Sequence, residues 1–322
     1  MLFQNYHRRG VTFSILPSIM NGRRNDLQYL KNAVKRNWVG YFFLTPWLFG
    51  LVTLTAIPMG ASLYLAFTDY DMFTSPEWIG LANFIEMFND DKYIASIKVT
   101  LKYVFLSVPI SLTFALIIAA ILNRGMKGLR FYRAVYYVPS LFGGSVAVAL
   151  LWRQIFGGDG LISNMLEFVG VEGVNLLSSP DTALYTIIVL SVWQFGSPMV
   201  IFLAGLKQIP TDLYEASMID GAGKMKRFFK ITLPLLTPII FFNLVMGIIG
   251  AFQAFTPAYI VSGGSGGPLN STLFYTLYLY QKGFTQFHMG YASAMAWLLL
   301  VTIAFVTALV FLSAKKWVYY EQ

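Results

Sequence analysis

Six long apolar runs, at residues 40–68, 95–122, 132–156, 183–206, 235–262 and 289–314, occupy most of a chain of 322 residues. A hydrocarbon core of about 30 Å is crossed by roughly 20 helical residues, so every run is long enough to span a bilayer. The runs are too continuous to alternate between lipid and lumen, which excludes a barrel. The pattern predicts an all-α membrane protein, a bundle of six transmembrane helices. A chain that is 57% hydrophobic and only 12% charged, with a mean hydropathy of +0.61, fits no soluble class. Pro46 and Pro58 fall in the first run, Pro198 in the fourth, and Pro238 and Pro257 in the fifth. Lipid tolerates them only where neighbouring helices re-satisfy the backbone, so bent, packed helices are expected.

Orientation follows from the retention of positive charge on the cytoplasmic side. With the N-terminus inside, eighteen of the 23 lysines and arginines fall in residues 1–39, 123–133, 207–234 and the tail, while ten of the 15 acids fall on the other side. Both termini are therefore expected in the cytoplasm, with the chain crossing the membrane several times. The net charge of +8 reports this topology and does not imply nucleic acid. Asp26–Trp38 places Leu27, Leu30, Val34 and Trp38 on one helical face with Lys31, Lys35 and Arg36 around it, the pattern of an interfacial helix lying on membrane lipid. The basic N-terminus lacks the small-residue cleavage site of a signal peptide. The expected division is a cytoplasmic segment over 1–39, a six-helix domain over 40–314 containing a cytoplasmic loop at 207–234, and a tail over 315–322.

The chain has no cysteine and only His7 and His288, which argues against disulfides, a thiol nucleophile or a protein-held transition metal. The loop between the fourth and fifth runs holds the most polar stretch, YEASMIDGAGKMKRFFKITLPLL, Tyr214–Leu236. Asp212 and Glu215 read as a capping box opening a short helix, Gly221–Gly223 end it, and KMKRFFK starts a second. The first helix is expected to expose Ala216, Ser217, Gly221 and Ala222 beside Leu213, Met218 and Ile219, a small and apolar surface suited to a protein partner. GAGKM is not a phosphate-binding loop, because Met218 stands where the first glycine belongs and Met225 where the Ser or Thr belongs. No ATP hydrolysis is expected from this chain.

The run EAS…DGAG…F…ITLPLL resembles the EAA loop of permease subunits in bacterial ATP-binding-cassette (ABC) importers, with Glu215, Ala216, Gly221, Ile231, Leu233 and Pro234 at matching positions and Ser217 replacing the usual second alanine. EWIGLANFIEMF, Glu77–Phe88, and GGP, Gly266–Pro268, resemble the carbohydrate-uptake branch, the class of the maltose importer's larger permease, and the whole chain is similar to permeases of alginate-oligosaccharide importers. The resemblance covers residues 26–316. It implies a type I importer permease fold and a heterodimer with a second homologous permease. It also implies two ATP-binding-cassette subunits that hold the ATP and Mg, none of it bound by this chain, and an extracytoplasmic solute-binding protein. Through Glu215, Ala216, Ser217, Met218, Asp220 and Gly221 the loop is expected to couple ATPase closure to alternating access. Glu215 also has a local reading as a helix-cap residue. The cluster Lys224, Lys226, Arg227 and Lys230 reads first as a retention signal.

Polar residues inside crossings are costly, about 2.5–3.5 kcal/mol for a mid-helix charge. Trp193, Gln194, Asn243, Gln253, Phe255, Thr256 and Tyr259 supply aromatic faces, amides and hydroxyls, the groups that hold a sugar, and form the expected substrate path. Helix-to-helix hydrogen bonding is the competing reading, above all for Asn243. The resemblance puts solute contact at Gln253 and Thr256. Lys98, Lys102 and Arg153 either snorkel to headgroups or contact an anionic solute such as an alginate oligosaccharide. A stand-alone channel or ion-coupled carrier is the rival reading; it calls for deep charges and an inverted repeat, and neither is evident. A membrane enzyme lacks a nucleophile motif or a carboxylate pair in a crossing.

Overall fold

The computed structural model describes residues 38–125, 128–170 and 175–319. The expected interfacial helix, apart from Trp38, lies outside the described residues. The chain divides into two compact units, Met1–Ala61 and Ser62–Gln322. Residues 38–61 of helix α1 (Trp38–Leu65) are what is described of the first, and the apolar side chains there are exposed along the helix, as on a helix in lipid. A π-turn at Val52–Ala56 widens α1 just before Pro58, where a proline ring would meet the carbonyl four residues back.

The second unit opens with two short antiparallel strands, β1 (Thr68–Asp69) and β2 (Glu77–Trp78), followed by α2 (Ala82–Phe88). Buried Asn83 donates its amide to the carbonyls of Ala66 (3.0 Å) and Thr68 (2.9 Å). The EWIGLANF stretch is thus a clamp on the strand that leaves α1. Helix α3 (Asp91–Leu122) is the central column. Asp90 caps it, accepting hydrogen bonds from the Lys92 and Tyr93 N–H groups.

Among the described residues three helices are long and apolar enough to cross a membrane, and up to six spans result if each of three bent pairs counts as one. The bent pairs are α4 (Leu129–Phe142) with α5 (Val146–Phe156) and α6 (Leu161–Phe168), α7 (Ala183–Trp193) with α8 (Gly196–Leu206), and α10 (Lys224–Leu235) with α11 (Thr237–Phe252). Between α8 and α10 lies α9 (Thr211–Ile219). After α11 come α12 (Thr256–Val261), α13 (Tyr275–Tyr280) and the last span, α14 (Met289–Trp317). The third apolar run is therefore not one helix. It turns by 97° where Gly143, Gly144 and Ser145 interrupt it. The fifth run also ends early, at Phe252, and restarts at Thr256. Pro198, Pro238 and Pro257 each sit in the first turn of a new segment, where a missing N–H costs nothing.

Helix α3 packs against α7, α8, α11 and α13. Around it lie two apolar cores. One, with Tyr103, Ile187, Phe252, Phe274 and Tyr278, lies at the end of α3 that carries Asp90. The other, with Ala119, Leu122, Phe202, Leu206 and Leu236, lies at the opposite end.

Candidate functional site

The breaks in two spans meet. The Gln194 amide donates to the Gly143 carbonyl (2.8 Å), Ser140 Oγ donates to the Gln194 carbonyl (2.8 Å), and the Ser197 N–H donates to Ser140 Oγ (3.1 Å). A Cβ on Gly196 would fall 2.5 Å from the Tyr136 carbonyl oxygen, so the backbone approach requires glycine there, and one on Gly143 would fall 2.3 Å from Gln194 Cδ, so the Gln194 side chain can hold its place only against glycine. Interrupting a helix frees backbone groups that lipid cannot satisfy, and here each break satisfies the other.

Beside this joint a cavity of about 640 Å³ opens between α3, α7, α8 and α11. It brings together Gln194, Asn243, Gln253, Phe255 and Thr256, with Ser111, Ser191 and Ser197 adding hydroxyls. The amides differ in what they are free to do. Gln194 is committed to Gly143, and Asn243, 5% exposed, donates to the Ile239 carbonyl of its own helix (3.1 Å). The exposed Gln253 side chain and the Thr256 hydroxyl make no hydrogen bond among the described residues, so both can address a solute. Gln253 is free because α11 stops there, which turns its side chain from a helix surface into a loop lining.

Two of the seven expected path residues do not line this cavity. Trp193 lies against Trp152 (centroids 5.9 Å), and Tyr259 joins Phe255 and Tyr280 in a cluster with centroids 5.2–5.5 Å apart. Lys98, Lys102 and Arg153 are also elsewhere. Lys98 is exposed, Lys102 Nζ sits 4.9 Å above the Tyr185 ring, and Arg153 lines a separate recess with Asp159.

The second polar site is the loop around α9. No capping box forms: Pro210 is the N-cap and makes no side-chain bond, Asp212 is the second helical residue, and Glu215 lies beyond the first turn. Proline fixes the φ that starts the helix and thereby replaces the side-chain cap. The small face also divides differently from expectation. Ser217 is buried, 8% exposed, and donates to the Tyr214 carbonyl (2.7 Å), on the α9 face whose Tyr214 meets the second half of α10 through a Tyr214–Thr232 hydroxyl pair (2.8 Å). Glu215, Ala216, Met218, Asp220 and Gly221 are exposed, and Ile219 is 88% exposed. Gly221 closes the helix at φ +71°. Its N–H donates to the Met218 carbonyl and that of Ala222 to Ser217, the double bond pattern of a left-handed helix terminator.

Sequence reasoning missed two features. The Gly143–Gly144 dipeptide was the available signal for the largest break. Asp90 and Lys282 carried none, since their partners are distant in sequence: Lys282 Nζ lies 3.5 Å from Asp90 Oδ2, the Tyr291 hydroxyl donates to the same oxygen (2.9 Å), and so does that of Tyr278.

Comparison with known proteins adds the following. The family model described as binding-protein-dependent transport system inner membrane component matches residues 100–318. The probable ABC transporter permease protein YesP of Bacillus subtilis (strain 168) is 55% identical over 94% of this chain and 99% of its own length. The sn-glycerol-3-phosphate transport system permease protein UgpA of Yersinia pestis is 33% identical over 88% of this chain and 97% of its own. A chain in the crystal structure of a bacterial alginate ABC transporter, in complex with its alginate pentasaccharide-bound periplasmic protein, superposes with a TM-score of 0.76. That match is 21% identical and covers 88% of this chain and 96% of that one, a likeness of fold.

Proposed function

We propose, from the premise that this chain belongs to the binding-protein-dependent inner membrane components and is an ABC importer permease, that its cavity and its loop divide one task between them. The cavity passes a sugar or oligosaccharide, and the loop delivers the motion that opens it to one side and then the other. Gln253 and Thr256, with their free polar groups, and Phe255, with its ring face, are the solute contacts. Gln194 and Asn243 hold the cavity walls. Lys98, Lys102 and Arg153, outside the cavity, meet an acidic solute only at the entrance. An acidic oligosaccharide is the solute we infer, because named relatives serve sn-glycerol-3-phosphate and alginate, both anions.

The exposed tip of α9 carries the coupling half of the reading. Leu213, Met218 and Ile219 present exposed apolar surface on a short helix, uncovered by any of the described residues, and Gly221 ends that helix. Burying such surface is worth roughly 25 cal/mol per Å², and a rigid helix seated in a socket transmits rotation. We infer that the socket belongs to one of two ATP-binding-cassette subunits, which hold ATP and Mg, and that Glu215 and Asp220 meet its basic residues. A second homologous permease closes the path, a solute-binding protein delivers to the opposite face, and both termini are cytoplasmic.

The test is uptake by the reconstituted complex. Deleting residues 214–223 abolishes ATP-dependent uptake if the loop couples; uptake that survives the deletion refutes the coupling role.

A further inference from the structure

Next to α9 a groove of about 440 Å³ runs between the last turns of α3, the end of α8 and the start of α10. Its apolar walls include Ile117, Ile121, Leu206 and Phe228. Its rim carries Arg124, Lys224 and Arg227, and among the described residues no acid lines it. None of the three cations has an ion-pair partner, since among the described residues the one ion pair is Lys282 with Asp90. The groove straddles the ends of two spans, with Ile117 and Ile121 inside the last turns of α3 and Arg124 just past its end at Leu122. Apolar wall below and bare positive charge at the level where the helices leave the hydrocarbon is the polarity of a headgroup and its chain.

We propose that this groove binds an anionic phospholipid of the adjoining leaflet. Its phosphate sits among Arg124, Lys224 and Arg227, and one acyl chain lies along Ile117 and Ile121. A zwitterionic lipid brings its own cation to the rim and is disfavoured there, whereas basic sites at this depth attract acidic lipid at about 1 kcal/mol per cation. The groove also has the shape for it. A π-turn at Phe228–Thr232 widens α10 where Phe228 enters the wall. Tyr214 forms part of the lining and is bonded to Thr232 (2.8 Å), so the lipid touches the helix we assign to coupling. The inference stands on the groove and needs neither the solute nor the socket.

The experiment is native mass spectrometry of the purified, fully assembled complex after exchange into phosphatidylglycerol or phosphatidylcholine. Phosphatidylglycerol is expected to stay bound and phosphatidylcholine to leave. Arg124→Gln with Arg227→Gln is expected to weaken retention roughly fivefold per cation removed, and Arg124→Lys with Arg227→Lys to restore it. Ile117→Trp, which fills the groove with the cations intact, is expected to remove the lipid as well, and it carries the test if the arginine variants do not assemble. Equal retention of the two lipids, or retention unchanged by Arg124→Gln with Arg227→Gln or by Ile117→Trp, overturns the proposal. So does a double variant that keeps its lipid and sheds the ATPase subunits, which would assign the cations to that protein interface.

Discussion

Asp90 caps α3 with one carboxylate oxygen and, with the other, accepts from Tyr278 and Tyr291 beside the Lys282 ammonium, which lies 4.4 Å over the Tyr291 ring. Burial alone would raise its pKa. The two tyrosine hydroxyls, the Tyr93 N–H and Lys282 outweigh that and hold the carboxyl below its ordinary value of 3.8. A depressed carboxylate pKa contributes stability that is present above the unfolded value and lost as pH falls through the folded one. Melting of the purified protein should therefore be flat in this respect from pH 8 to 5 and fall below about pH 4. Asp90→Asn should lower stability at pH 7 by about 2–3 kcal/mol, less than a fully buried pair because the Lys282 and Asp90 side chains keep 11% and 16% exposure. It should also blunt the acid-induced fall. An unchanged acid limb in Asp90→Asn would assign that limb to other groups. At the other end of the protein, Gly221→Val places a β-branched residue at φ +71° and should cost about 1–2 kcal/mol of local helix stability. Amide exchange at Ala222 and Asp220 reads that directly, since those N–H groups bond back to Ser217 and Ala216.

Among the elements, the broken spans decide where the cavity can be. Gly143→Ala puts a methyl within 2.3 Å of Gln194 Cδ and should cost about 1–3 kcal/mol, as overpacking does. Gln194→Ala leaves Gly143's carbonyl without its donor and should cost a comparable 1–3 kcal/mol. The double variant should cost clearly less than the two together, because the second change removes the clash made by the first. Additive thermal shifts would mean that the two breaks do not touch. The six spans were legible because a crossing needs a length and a composition that survive any packing, and the bends at Pro198, Pro238 and Pro257 because proline acts locally. The 97° turn was not. Gly143 and Gly144 permit a break, but Gln194, fifty-one residues away, stabilises it. The same limit applies to Asp212 and Glu215, whose spacing suits a capping box until Pro210 takes the N-cap. Ser217 faces inward because Tyr214 meets Thr232 across the loop, a contact no local pattern shows.

At the scale of the molecule, the cavity lies between two apolar cores, and α9 projects beyond the second of them. The proposed solute contacts in the cavity and the proposed coupling contacts on α9 belong to different elements and predict separable defects. Gln253→Ala and Thr256→Val should raise the solute concentration needed for half-maximal uptake several-fold while ATP hydrolysis by the assembled complex continues; loss of basal hydrolysis in these variants would place them in the coupling path instead. The account rests most heavily on α9 being gripped by a separate motor. Because the chain contains no cysteine, Met218→Cys provides a single thiol at the exposed tip for a short bifunctional cross-linker. In the assembled, actively transporting complex, the predicted result is a covalent adduct with the ATP-binding-cassette subunit, its yield changing when nucleotide closes that subunit. An assembled complex in which this thiol never captures that subunit, with or without nucleotide, would contradict the account.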